Sequence, residues 1–285
     1  MTAEQARDAH ADAAACGLNQ YTLSGSAAEM YEQNMVPAIF EPFAHDLLEF
    51  ADLKKGESVL DVGCGTGIVA RLAWRKVAPA GRVVGMDINP GMLEVARIAS
   101  QQHGADIEWA EGNVSEMPFH AGEFDVVLCQ HGLQYFPDRP AALNEMRRVL
   151  GAGGRLALNV WRPISFNAGH SVFADVLQRR VSQEAAATRR APFKLSDRHE
   201  FRALVTAAGF HDVIVSLTTR VARFASAEAM VRIMIAGTPL GAAMNSDDPE
   251  FLQTVIDDVT AGLSDYEDDR GLAIPMQAWV VTARA

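Results

Sequence analysis

From Ser58 to Gly67 the chain reads SVLDVGCGTG, and no other stretch limits the possible folds so tightly. Five mostly apolar, β-branched residues make a short buried strand, and glycines follow at 63, 65 and 67. Glycines there let the chain turn sharply and bring bare backbone against a ligand. Ile68, Val69, Leu72, Ala73 and Val77 then recur at helical spacing, closed by Pro79 and Gly81. A strand that enters a helix through a glycine loop is the opening unit of an α/β sheet.

The remaining sequence repeats that rhythm. Further strands are expected over 82–87, 106–110, 124–129, 155–161, 211–217 and 276–282. Asn89 and Pro90 cap and open a helix that stops at Gly104. Asp138 and Pro140 start another, with Gly151 as its C′ residue. The alternation predicts an open, mostly parallel sheet with right-handed crossovers.

Residues 1–55 read as an N-terminal helical cover. A frayed helix lies within 1–20, and one or two helices over 27–53 are broken or kinked at Pro37 and Pro42. Their apolar face carries Met35, Ile39, Phe43, Leu47 and Leu48. Residues 56–285 form the sheet domain, with helical insertions near 163–195 and 225–270. Residues 168–188 are helical, Ser196 caps another helix reaching Ala208, and two further helices fall in 226–264.

Composition excludes several classes. The 285 residues carry a net charge of −11, with no concentrated basic stripe to replace the counterions of a nucleic acid. The densest basic run, Arg179-Arg180 to Arg189-Arg190, reads as the solvated face of a helix. Cys16, Cys64 and Cys129 lie far apart without CxxC or zinc spacing, which suits a reducing, cytoplasmic setting. The N-terminus has acids where a signal peptide needs positive charge, and no apolar window reaches membrane-spanning length.

The glycine loop points to a nucleoside ligand. Asp87 ends the second strand and aims its carboxylate at the same crevice, where it can accept both hydroxyls of a ribose. A dinucleotide site prefers G-x-G-x-x-G, and counting from Gly63 puts Ile68 where the third glycine belongs. The loop is G-x-G-x-G, preceded by the acid Asp61.

In these features the chain resembles the class I S-adenosylmethionine-dependent methyltransferases, particularly the ubiquinone/menaquinone-biosynthesis type and related small-molecule enzymes. The matching blocks are VLDVGCGTG at 59–67, VVGMDINPGML at 83–93, EGNVSEMPF at 111–119, FDVVLCQHGLQYFPD at 124–138 and MRRVLGAGGRLAL at 146–158. The resemblance implies a Rossmann-like, doubly wound, mostly parallel seven-stranded sheet whose helical insertions form a cover. It also implies S-adenosyl-L-methionine as cofactor and a small-molecule acceptor as substrate. Asp61, Gly63, Cys64 and Gly65 would form the cofactor loop, with the glycines along the methionine moiety. Asp87 would take the ribose hydroxyls, and Ile88 and Met92 would pack the adenine. Asn113 and Val114 stand where the family has Asp-Ala, and an amide oxygen can equally accept from the adenine amine. Gln130 would face the amino-acid end, and Tyr31 would close over it.

His131 is the expected catalytic base, because the position after the fourth strand abuts the methyl group in this family. His170, His45 and His120 are weaker candidates. The acceptor pocket is expected from apolar residues of the cover and insertions: Met30, Met35, Phe40, Phe43, Trp161, Phe166, Phe173, Met230, Met234 and Met244. Such residues fit a hydrophobic or aromatic molecule. Gln130-His131-Gly132-Leu133 stands where adenine-modifying relatives carry (N/D)PP(Y/F). No metal site is expected: Asp265, Glu267, Asp268 and Asp269 read as a solvated loop. Two alternatives remain, a cofactor-binding enzyme that does not transfer methyl, such as a cyclase, and a nicotinamide-dependent oxidoreductase. A homodimer is left open.

Overall fold

The computed structural model describes residues 25–236 and 248–285. The expected helix within 1–20, Cys16 and Met244 lie outside the described residues. Eight strands form one sheet: β1 (Ser58–Val62), β2 (Arg82–Asp87), β3 (Glu108–Glu111), β4 (Phe124–Gln130), β5 (Leu150–Trp161), β6 (His211–Phe224), β7 (Glu267–Asp268) and β8 (Gly271–Arg284). β4 shows why the sheet sits inside the molecule. Val126, Val127, Leu128 and Cys129 are all fully buried, so apolar side chains leave both faces of the strand.

The strand order is β3-β2-β1-β4-β5-β8-β6, with β7 a two-residue arm on β8. β3, β2, β1, β4 and β5 pair in parallel, while β8 runs antiparallel to both β5 and β6. This is the expected doubly wound, mostly parallel sheet, with β7 added to the seven strands. β6 and β8 are each longer than the sequence suggested, and the extension of β8 was hidden by Pro275, which lacks a ladder N–H. The alternate burial of Leu272, Ile274, Met276 and Ala278 marks it as strand.

The described helices are α1 (Ser26–Met30), a π-helical stretch over Tyr31–Phe40, α2 (Glu41–Ala51), α3 (Ile68–Val77), α4 (Pro90–Gln102), α5 (Arg139–Val149), α6 (Ala168–Arg180), α7 (Gln183–Arg190), α8 (Arg198–Ala207), α9 (Ala227–Ala236) and α10 (Pro249–Leu263). Asn89 and Asp138 cap α4 and α5 through their side-chain oxygens, as their sequence positions require. The cover differs from expectation. Pro37 and Pro42 do not break it: Pro37 is absorbed by the wider π turn, and Pro42 opens α2. The helix expected over 168–188 is two helices, because Ser182 leaves helical geometry and caps α7 on Ala185 N–H. Asp197, not Ser196, caps α8. Gly151 holds the C′ position of α5 as expected, although the chain has already entered β5 at Leu150.

The core divides by sheet face. Val59, Val83, Val126 and Leu128 pack against Leu47 and Leu48 of α2 and Val69, Leu72 and Ala73 of α3. Leu60, Val62, Val84 and Met86 pack on the other side with Leu143 and Met146 of α5. A third cluster lies beyond the end of β5, where Met35, Ile39 and Phe43 of the cover meet Phe173, Leu177, Met230 and Val255 of the insertions. The cover and the insertions therefore share one apolar interior.

Candidate active site

A cavity of about 280 Å³ opens at the carboxyl ends of the parallel strands, around the point where the strand order reverses. Gly63 and Gly65 reach it from β1, Asp87 from β2, Gln130 and His131 from β4, and Trp161 from β5. The cover closes it with Tyr31, Met35, Ile39 and Phe40.

At one end the backbone is bare. Gly63, Gly65 and Gly67 all hold positive φ. A Cβ on Gly65 would meet nothing, whereas one on Gly67 would lie 2.3 Å from the Trp109 ring. Gly65 thus leaves open space, and Gly67 allows close packing. Asp87 Oδ2 accepts from Gly65 N–H at 2.8 Å and Oδ1 from Asn89 N–H at 2.9 Å. Each oxygen keeps a lone pair for another donor. Burial raises the Asp87 carboxyl, and the backbone N–H groups of Asn89, Gly65 and Ile88 oppose that rise. Ile88, Met92, Asn113 and Val114 continue the wall. Asn113 Oδ1 accepts from Ser115 N–H at 2.9 Å, a local turn that fixes the side chain. Gln130 Nε2 donates to Phe40 O at 2.9 Å, and its buried Oε1 has no protein partner.

Two residues assigned to the loop do not reach the cavity. Asp61 Oδ2 accepts from Ala70 N–H at 3.1 Å, so this carboxylate caps α3 on the opposite face of β1. Burial lifts it to about 7. Cys64 packs its sulfur toward Gly85, beside Trp109, and burial pushes its thiol well up. Strand parity could have revealed Asp61: it points with Val59, which packs on α3, and not with Leu60 and Val62.

The other end is an aromatic box. The His131 ring stacks on Trp161 with centroids 3.6 Å apart and planes 13° apart, and Phe43 meets it edge-on at 5.6 Å. His131 holds φ at 52°, and its N–H is held by Asn159 O and Oδ1. Both ring nitrogens are buried without a protein partner, and burial alone drives the imidazole well below its ordinary value. Burial thus works against the role of base expected of it. Beyond Trp161 stand His170, Phe193, Pro192 and Arg189.

Of the expected acceptor residues, Met35, Phe40 and Trp161 line the cavity. Phe43, Phe173, Met230 and Met234 are core, and Phe166 is exposed. His45 and His120 lie away from the site, on the surface. Arg189, read as a solvated helix residue, instead lines the cavity; its neighbour Arg190 takes the surface role by pairing with Asp175. Among the described residues no group of His, Cys, Asp or Glu could hold a metal ion.

Residues 60–158 match the methyltransferase-domain family model. The chain is 31% identical to the demethylmenaquinone methyltransferase of Staphylococcus carnosus over 183 residues, covering 61% of this chain and 76% of that enzyme. The chain belongs to the S-adenosylmethionine-dependent methyltransferases. It is also 37% identical to the nocamycin O-methyltransferase of Saccharothrix syringae over 120 residues, 42% of this chain and 43% of that one. It spans about half the length of several other curated relatives. The phosphoethanolamine N-methyltransferase 2 of Haemonchus contortus shares the fold, with a TM-score of 0.57 at 19% identity over 90% of this chain and 56% of that chain.

The methyltransferase's own residues fit its cofactor. Asp87 has one open lone pair per oxygen for two ribose hydroxyls, Gly65 leaves the space, and Gln130 Oε1 is an unfilled acceptor suited to an ammonium. Tyr31 stacks on Phe40 at 5.1 Å above them, and burial raises its phenol well above the ordinary value. Among the described residues, no helix is long and apolar enough to cross a membrane.

Proposed function

We propose that this methyltransferase transfers the methyl group of S-adenosyl-L-methionine to oxygen or carbon of a small hydrophobic or aromatic acceptor. The observation that carries this reading is a single cavity running from the Asp87 carboxylate, past Gln130 and His131, into the box of Phe40, Trp161 and Phe193. The sulfonium, when bound, supplies an already activated methyl, so the protein's main task is alignment. The aromatic walls hold a flat acceptor and keep water out. His131 is neutral at physiological pH, and its weak basicity suits a readily ionised enol or phenol better than an aliphatic alcohol.

Demethylmenaquinone, in the name of the Staphylococcus relative, is an acceptor of this chemical kind. We assign residues 1–55 to the cover and 56–285 to the catalytic domain, with insertions near 163–195 and 225–270. Two buried free thiols, Cys64 and Cys129, support a cytoplasmic location. The test is calorimetry with S-adenosylhomocysteine and NAD, then mass spectrometry of reactions with hydroquinones, phenols and enolic polyketides. Binding of S-adenosylhomocysteine alone, and its release with a methylated product, is the expected result. Turnover of an acceptor without S-adenosylhomocysteine would indicate a non-transferring enzyme, and preference for NAD would refute the cofactor.

A further inference from the structure

The acceptor end of the cavity contains a cation with no counter-charge. Arg189 stands on α7, and two nearby arginines set the comparison: Arg180 at the end of α6 pairs with Asp258, and Arg190 on α7 pairs with Asp175, both toward the surface. Arg189 turns inward. Among the described residues no carboxylate pairs with it; it contacts the His170 ring, the Met234 sulfur at 3.0 Å and the face of Phe173 at 5.7 Å, and the Tyr135 phenol acts on its charge. None of these carries negative charge. Its Nε–H is buried without a partner. Burial draws the guanidinium down to about 10, which still leaves it charged at neutral pH.

His170 repeats the pattern. A guanidinium can only donate, so His170 Nδ1 must accept from Arg189, and the ring proton sits on Nε2. That Nε2–H is also buried without a protein partner. Two neighbouring donors, one of them cationic, therefore lie on an aromatic cavity with Arg189 Nε–H and His170 Nε2–H unfilled, the Tyr135 phenol being the one oxygen group that acts electrostatically on the guanidinium. A desolvated charge is tolerated in such a place when something pairs with it.

We propose that the acceptor carries an anionic oxygen group, a carboxylate or an ionised enol or phenol, seated on Arg189 with His170 Nε2–H as second donor. The aromatic body of the acceptor would lie against the His131, Trp161 and Phe193 rings that line the cavity. The inference rests on the methyltransferase reading and narrows it, since the apolar walls alone would accept a neutral molecule equally well.

The test uses 2-naphthoate and 2-naphthamide, flat molecules of the same shape that differ in charge, titrated into full-length protein loaded with S-adenosylhomocysteine. A charge-assisted pair should favour naphthoate by about tenfold or more. In R189Q the two affinities should fall within about twofold of each other, through loss of naphthoate binding. R189K keeps the charge and loses the fork, so it should retain part of the preference. If R189Q does not fold, the wild-type ratio and R189K decide. Equal affinities, no binding of either probe, or a preference that survives R189Q would overturn the proposal. Failure to bind S-adenosylhomocysteine would instead sink the methyltransferase reading, so the two failures are separable.

Discussion

Asp61 offers the sharpest quantitative test, because sequence and structure assign it different work. As a cofactor residue its replacement should weaken nucleoside binding. As the buried cap of α3 its replacement should act on stability, with a sign that depends on pH. The folded protein holds this carboxyl at about 7, against an ordinary value of 3.8, chiefly through burial. The folded state therefore keeps the proton more tightly than the unfolded chain. Stability is highest with the group neutral and falls as pH rises from about 4 to 7, by up to about 4 kcal/mol. Asp61→Asn removes that ionisation. The amide oxygen can still accept from Ala70 N–H, but an NH₂ replaces the oxygen that has no partner, at about 1–3 kcal/mol. The net expectation is a variant less stable than wild type near pH 4.5 and more stable, by about 1–3 kcal/mol, at pH 8. At about 2–4 °C per kcal/mol, melting curves between pH 4.5 and 8.5 should cross. The Asp87 charge is one of the lesser causes that raise Asp61, and its coupling is part of what Asp61→Asn removes. Parallel curves would refute the buried-charge reasoning, and a tenfold loss of S-adenosylhomocysteine affinity would return Asp61 to the cofactor.

Three further outcomes are expected. Asp87→Ala removes the acceptors for two ribose hydroxyls and for Gly65 and Asn89 N–H, so S-adenosylhomocysteine affinity should fall at least about a hundredfold by calorimetry; a loss below tenfold contradicts the site. Gly67→Ala places a Cβ 2.3 Å from Trp109 at a φ of 82°, and chemical denaturation should show a loss of about 2–4 kcal/mol. Glu32→Gln breaks a pair with Arg71 that is largely out of solvent, and amide exchange over 31–40 should accelerate while the parallel strands keep their protection.

The parallel half of the sheet was legible because each strand enters or leaves through residues with a local reason to be there: Gly63 and Gly65 at β1, Asn89 after β2, and Asp138 before α5. Those reasons act over a few residues, so no tertiary information was needed. Tyr31, Gly63, Gly65, Asp87, Ile88, Met92, Asn113, Val114, Gln130 and His131 all line the cavity. Their use by the cofactor is a proposal that the titrations above address. The acceptor half was legible only in texture. Phe173 and Met230 read as pocket residues and are core, because helical spacing records that a face is buried without recording against what. Arg189 was hidden for the converse reason: one of two arginines ending a polar helix looks solvated until the fold shows which way it turns.

The two halves are not independent, and the hydrogen bonds say how they meet. Arg71, buried on α3, donates to Thr66 O in the glycine loop and pairs with Glu32 Oε1 at 2.5 Å, in the stretch that carries Tyr31. Gln130, at the end of β4, donates to Phe40 O in the same stretch. The roof of the aromatic box is thus tied at its start to the loop of β1 and at its end to the strand that presents His131. Through Arg71 and Glu32 the glycine loop is therefore bonded to the roof that covers the acceptor end. A methyl donor must be kept from water while the acceptor enters, and the stretch that provides this cover is anchored to the glycine loop and to β4. The π-helical turn at Tyr31–Phe40 belongs to the same logic: it takes up Pro37 without ending the helix, so Tyr31 and Phe40 both remain in the roof.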